Sequence, residues 1–343
     1  MPESTTLWYT RCPVPSASGI AIARRLLDDE FTVPAVRWRP VAEAPGGSEA
    51  HFTHDLRGLF REGGNVPALA AYAQSRNSVL IGMTFVPELQ AIVVPAASPS
   101  RSLADLAGKR FALPVQQAAR IDFYRAMALR GMENALASAG MGRDDLVPVD
   151  IPRAAAVLGD VSGEGYDAEV AALRDGRAEA AYVKGARGAD LISAGVVRAV
   201  WTADASSPTS WQINNGTPRA ITADRRIVGE RPELAARYLR VLATAARWAA
   251  GHGDDVVRIV SAETGGSEDG VRSAYGNAFG ETLQPSLRED LLESLASQKE
   301  FLLRHGFLHH DFQLDDWIDR GPLAAALRST HDGDISPMDR KGL

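Results

Sequence analysis

Residues 99–114, PSRSLADLAGKRFALP, constrain the architecture of this chain more than any other segment. Ser102 caps a short helix carrying Leu103, Asp105 and Leu106; Gly108 stops it, and an apolar strand over 110–113 follows. A β-rich run at 90–95 precedes the segment. A long helix over roughly 118–139 follows it, with Ile121, Tyr124, Ala128, Met132 and Leu136 at core spacing and a stop at Gly140. Strand 146–151, helix 166–175 and strand 180–184 continue the alternation. Strands and helices in strict turn fold as α/β layers.

The same rhythm runs through the first part of the chain. It predicts strand 7–10, a helix over 20–28 capped by Ser16 or Ser18, strand 36–41, a Gly/Pro loop at 44–47, a helix near 67–73 and strand 78–85. The chain is expected to return to the first lobe around 211–221, and beyond it the pattern is helical, over 232–250, 254–264, 268–279 and 286–305. At 343 residues the chain suits two lobes better than one core. The predicted division places 1–95 and 211–328 in the first lobe, 96–210 in the second, and 329–343 in a disordered tail.

Composition narrows the partners. Apolar content of 45% with 23% charged residues is ordinary for a globular protein. A net charge of −6, without a long basic block, argues against nucleic acid. No apolar run approaches the roughly 18–20 residues that cross a bilayer, so no membrane partner is expected. The first residues, Met1 to Thr6, show neither a basic region nor an apolar one, and the expected location is cytoplasmic. A monomer is expected.

The chemistry centres on Cys12, the sole cysteine, which rules out an internal disulfide. It lies in Leu7-Trp8-Tyr9-Thr10-Arg11-Cys12-Pro13-Val14-Pro15, where two prolines forbid the strand from continuing. That puts a thiol where strand becomes loop, the rim at which open α/β sheets bind ligands. A lone cysteine is more often an inert interior residue. The second segment, His51-Phe52-Thr53-His54-Asp55 with Arg61-Glu62-Gly63-Gly64, tips the reading toward a site. Arg61 offers a planar fork of donors matched to a two-oxygen anion, and Gly63-Gly64 lets backbone approach closely. His51 can orient or deprotonate the thiol. His54 lies three residues on, and H-x-x-H without further ligands is a weak metal signal.

Together, Y-x-x-C-P-V-P from Tyr9 and H-F-T-x-D-x5-R-x-G-G from His51 resemble the sulfinate desulfinases. The resemblance follows segment order from Leu7 to about Asp319, although only these two motifs are specific. It implies an α/β, two-lobed, periplasmic-binding-protein-like (type II) fold with the active site in the interlobe cleft. The 99–114 segment is then the crossover into the second lobe. It further implies cleavage of the carbon–sulfur bond of an organic, aromatic sulfinate to release sulfite. Cys12, His51 and Arg61 would be catalytic, and Arg61, Gly63, Gly64 and His54 would bind substrate, with no metal and no cofactor. Cys12 would act either as proton donor to carbon or as nucleophile on sulfur. Where biaryl-specific members carry tryptophans, this chain has Lys184 and Arg187, which would favour a smaller or additionally anionic substrate if both faced the cleft. The alternative is a non-catalytic solute-binding protein for a small organosulfur anion.

Overall fold

The computed structural model describes residues 5–32, 36–116, 120–153 and 165–331. Ten strands are present among them: β1 (Thr5–Arg11), β2 (Val36–Pro40), β3 (Leu59–Gly63), β4 (Ser78–Thr84), β5 (Gln90–Pro95), β6 (Arg110–Gln116), β7 (Val147–Arg153), β8 (Ala180–Lys184), β9 (Val197–Ala203) and β10 (Arg219–Asp224). They form two five-stranded sheets, ordered β2-β1-β3-β10-β4 and β7-β6-β8-β5-β9. In the first, β1 runs parallel to β2 and β3, and β10 enters antiparallel between β3 and β4. In the second, β6 runs parallel to β7 and β8, and β5 is antiparallel to β8 and β9. The α/β, two-lobed, periplasmic-binding-protein-like architecture is therefore present.

The chain crosses between sheets twice, between Thr84 and Gln90 and between Ala203 and Arg219. This moves one expected boundary. Residues 90–95, placed in the first lobe by the sequence, hydrogen-bond to β8 and β9 of the second sheet. A strand's own pattern records that it is buried on both faces but not which sheet receives it. Several elements went unread, among them strand β3 and helix Gly47–Thr53, which carry the second motif, helices Thr209–Gln212, Arg225–Glu230 and Gly185–Ser193, strand β9, and helix Gly321–His331, which extends beyond the residue at which the tail was expected to begin. The rest of that tail, 332–343, lies outside the described residues.

Helix 20–28 is in fact two, Ala17–Ala23 and Leu26–Phe31, broken where Arg25 takes a left-handed backbone conformation, φ 60°. Ser16 is the cap: its Oγ accepts the Gly19 N–H at 3.1 Å. One apolar cluster runs from Leu7 and Phe60 in the first lobe to Phe111 and Leu113 in the second. On one side the lobes are clamped together. Helix Gly185–Ser193 lies on helix Glu268–Tyr275, and the Ser267 N–H donates to Asp190 Oδ2 at 2.9 Å. Gly266 and Gly270 allow that approach, because a Cβ on either would collide with Ala186 or Asp190. No helix among the described residues is long and apolar enough to cross a membrane.

Candidate functional site

β1 and β3 are neighbours in register, Thr10 opposite Arg61 and Arg11 opposite Glu62. The ladder continues one residue beyond β1, with the Cys12 N–H donating to the Glu62 carbonyl at 3.2 Å. Side chains alternate along each strand, so Thr10, Cys12, Arg61 and Gly63 share one face. His51 joins them from helix Gly47–Thr53.

The thiol sits between two nitrogens. Cys12 Sγ is 3.9 Å from His51 Nε2 and accepts from Arg61 Nη2 at 3.6 Å. His51 Nδ1 lies 2.7 Å from Thr10 Oγ1, a hydrogen bond that fixes the orientation of the ring. Burial, then the Arg61 charge, then His54 hold the His51 imidazole well below its ordinary value, so the ring is neutral at neutral pH. Arg61 is completely buried. Its Nη1 donates to the Gly64 carbonyl at 3.1 Å, and among the described residues its Nε has no partner. Burial lowers the guanidinium pKa and the neighbouring thiol group raises it.

Both glycines are points of close approach. Gly63 lacks a Cβ because Cys12 Sγ occupies that space. Gly64 lacks one because the Asn215 amide does; Asn215 comes from the second crossing, and its Oδ1 accepts the Val66 N–H at 2.9 Å. The two glycines thus let the thiol and the crossing segment close on β3, and the Gly64 carbonyl anchors Arg61.

His54 ends helix Gly47–Thr53 in a left-handed conformation, φ 54°, which turns its ring inward beside Arg61. It is 2% exposed, and neither ring nitrogen reaches a hydrogen-bond partner among the described residues. Burial first, then Arg61, holds it well below its ordinary pKa, so it too is neutral. The described residues contain no cluster of three or more His, Cys, Asp or Glu suited to a metal ion. The lobes meet at this site: Phe52 stacks on Phe123 at 6.3 Å between centroids, and Glu49 pairs with Arg120.

Lys184 and Arg187 both have protein partners. Lys184 Nζ pairs with the buried Glu88 Oε1 at 2.6 Å, and Arg187 donates to the carbonyls of Thr264 and Gly265 at 3.3 and 3.4 Å. They tie lobes together rather than present free cations. Sequence reasoning passed over Thr10, whose only signal was its position two residues before Cys12 on a strand.

No protein-family model and no curated relative matches the sequence. Solved structures do. A cysteine-to-serine variant of the enzyme DszB in complex with biphenyl-2-sulfinic acid is 25% identical, with a TM-score of 0.72 over 95% of this chain and 99% of that one. The chain resembles a sulfinate desulfinase. DszB described as a desulfurization enzyme gives 24% identity and the same TM-score. The desulfinase likeness sits within a wider fold. The alkanesulfonate-binding protein SsuA from Xanthomonas axonopodis pv. citri bound to MOPS is 18% identical, with a TM-score of 0.63 over 93% of this chain and 99% of that one.

Proposed function

We propose that this protein is a sulfinate desulfinase that hydrolyses the carbon–sulfur bond of an organic, aromatic sulfinate through Cys12. The observation that carries the reading is the thiol held within 3.9 Å of a neutral imidazole and 3.6 Å of a buried guanidinium. The desulfinase likeness supports it. The likeness to sulfonate-binding proteins concerns the fold alone.

The Arg61 N–H groups that are not donated to the Gly64 carbonyl and the thiol meet the sulfinate oxygens, a charge-assisted arrangement that a lysine cannot reproduce. His54, buried with two unpartnered ring nitrogens, supplies a hydrogen bond to the bound anion or its ring substituent. The Cys12 S–H transfers its proton to the carbon bearing sulfur; the carbon–sulfur pair becomes the new C–H bond, and SO2 leaves. Water converts SO2 to bisulfite and a proton, and that proton restores the thiol. The sum is R–SO2⁻ + H2O → R–H + HSO3⁻, with no oxidant or reductant. His51, fixed by Thr10, orients the thiol and carries the returning proton.

The test is sulfite release from a panel of aromatic and aliphatic sulfinates, including 2′-hydroxybiphenyl-2-sulfinate. Wild type should release sulfite and Cys12→Ser should not, while still binding the sulfinate. Binding without release by wild type would leave a solute-binding protein. A covalent sulfur adduct on Cys12, seen by mass spectrometry during turnover, would replace proton donation with attack on sulfur.

A further inference from the structure

The turn that carries Cys12 is also held from the opposite face of the sheet. Arg11 alternates away from His51 and Arg61, and its Nε meets Glu263 Oε1 at 2.6 Å. Glu263 comes from the last turn of helix Gly253–Thr264, and its side chain is 7% exposed. Its other carboxylate oxygen fills the place where Gly19 would carry a Cβ, in helix Ala17–Ala23, which begins just after the Cys12 turn. One carboxylate therefore touches both flanks of Cys12-Pro13-Val14-Pro15. Beside it opens a cavity of about 430 Å³, lined by Arg11, Gly19, Ile22, Arg258, Ile259 and Glu263 among others. Glu263 touches none of the groups that the proposed chemistry uses.

We propose that Glu263 is a positioning residue for Cys12, acting through Arg11 and the first helix. A buried carboxylate is costly unless paired, and here the pairing fixes the residue next to the thiol. Burial pushes the Glu263 carboxyl up to about 7, with Glu62 adding to the rise and Arg11 and Arg219 opposing it. The charged groups around it are Arg11 from β1, Glu62 from β3, Arg219 from β10 and Arg258 on its own helix, while helix Ala17–Ala23 presents no charged group. Above that pH the ionised carboxylate holds Arg11; below it, protonation slackens the pair and frees the Cys12 turn.

The inference rests on Cys12 being the reactive group, yet its test does not need sulfinate turnover. Cys12 is the only cysteine, so its alkylation by iodoacetamide, read by intact mass, reports its setting directly. Glu263→Gln and Arg11→Gln should each change the alkylation rate at about pH 8 by at least ~3-fold, and the double variant should add nothing, as expected for residues acting through one contact. With a sulfinate that turns over, kcat should fall while KM stays. The wild-type profile should carry an inflection near pH 7, absent in Glu263→Gln and kept in Glu263→Asp. Unchanged alkylation in folded Glu263→Gln, or additive effects, would overturn the proposal. If that variant does not fold, an unchanged rate in Arg11→Gln overturns it instead. Altered alkylation in a protein that releases no sulfite from any sulfinate would leave the positioning role standing and remove the desulfinase reading.

Discussion

Cys12, His51 and Arg61 come from three elements, and each is useful because of what its neighbours do to it. Arg61 is buried with its fork split between the Gly64 carbonyl and the thiol. Charge-assisted hydrogen bonds contribute about 1.5–3 kcal/mol each, so Arg61→Ala should lower kcat/KM by at least ~10-fold. Arg61→Lys should recover little of it, because one ammonium cannot serve both directions. Steady-state kinetics on a sulfinate that turns over would check both. His51 and His54 give a second expectation. Both have folded-state pKa values depressed below the ordinary 6.5, so the unfolded chain takes up protons that the folded one refuses. The histidines' contribution to stability is therefore full above about pH 6.5 and falls as pH drops below it, against an opposite contribution from the raised Glu263 carboxyl. In thermal melts across that range, His54→Gln should lose less stability on acidification than wild type.

At the scale of elements, two close approaches hold the architecture. On β3, a methyl group at Gly63 would collide with Cys12 Sγ. Displacing a reacting atom by an ångström costs on the order of 10²-fold in rate. Gly63→Ala should thus nearly abolish activity in a protein that still folds; normal kinetics in that variant would place the thiol elsewhere. Between helices Gly185–Ser193 and Glu268–Tyr275, a methyl at Gly270 would run into Asp190 and the Ala186 carbonyl. Overpacking of this kind costs about 1–3 kcal/mol, so Gly270→Ala should lower stability in urea by that order.

For the whole molecule, the two sheets are less independent than two lobes imply. The main apolar cluster is continuous across them, and Lys184–Glu88, Arg187–Thr264 and Asp190–Ser267 bridge them on one side. Calorimetry should show one cooperative unfolding transition, whereas two resolved transitions would mean that the lobes are stabilised separately. The Phe52–Phe123 stack and the Glu49–Arg120 pair lie beside His51, where the lobes face each other. A bound sulfinate in that junction should slow Cys12 alkylation.

Alternation of strands and helices, the caps and the thiol motif were legible in order along the chain. Periodicity and capping act within a few residues, so the α/β class, strand β8 and helix Pro232–Ala250 could be read locally. The motif named Cys12, His51 and Arg61; β1–β3 pairing brings the first and last together, and helix Gly47–Thr53 delivers His51. What the sequence left open was every relation set by distant partners. Gln90–Pro95 reads the same in either sheet until β8 and β9 claim it. Lys184 and Arg187 read as free cations until Glu88 and the helix carbonyls meet them. Thr10 and Glu263 carry no motif at all; their place beside His51 and Arg11 follows from sheet register and helix packing, which bring together groups 41 residues apart in one case and far more in the other.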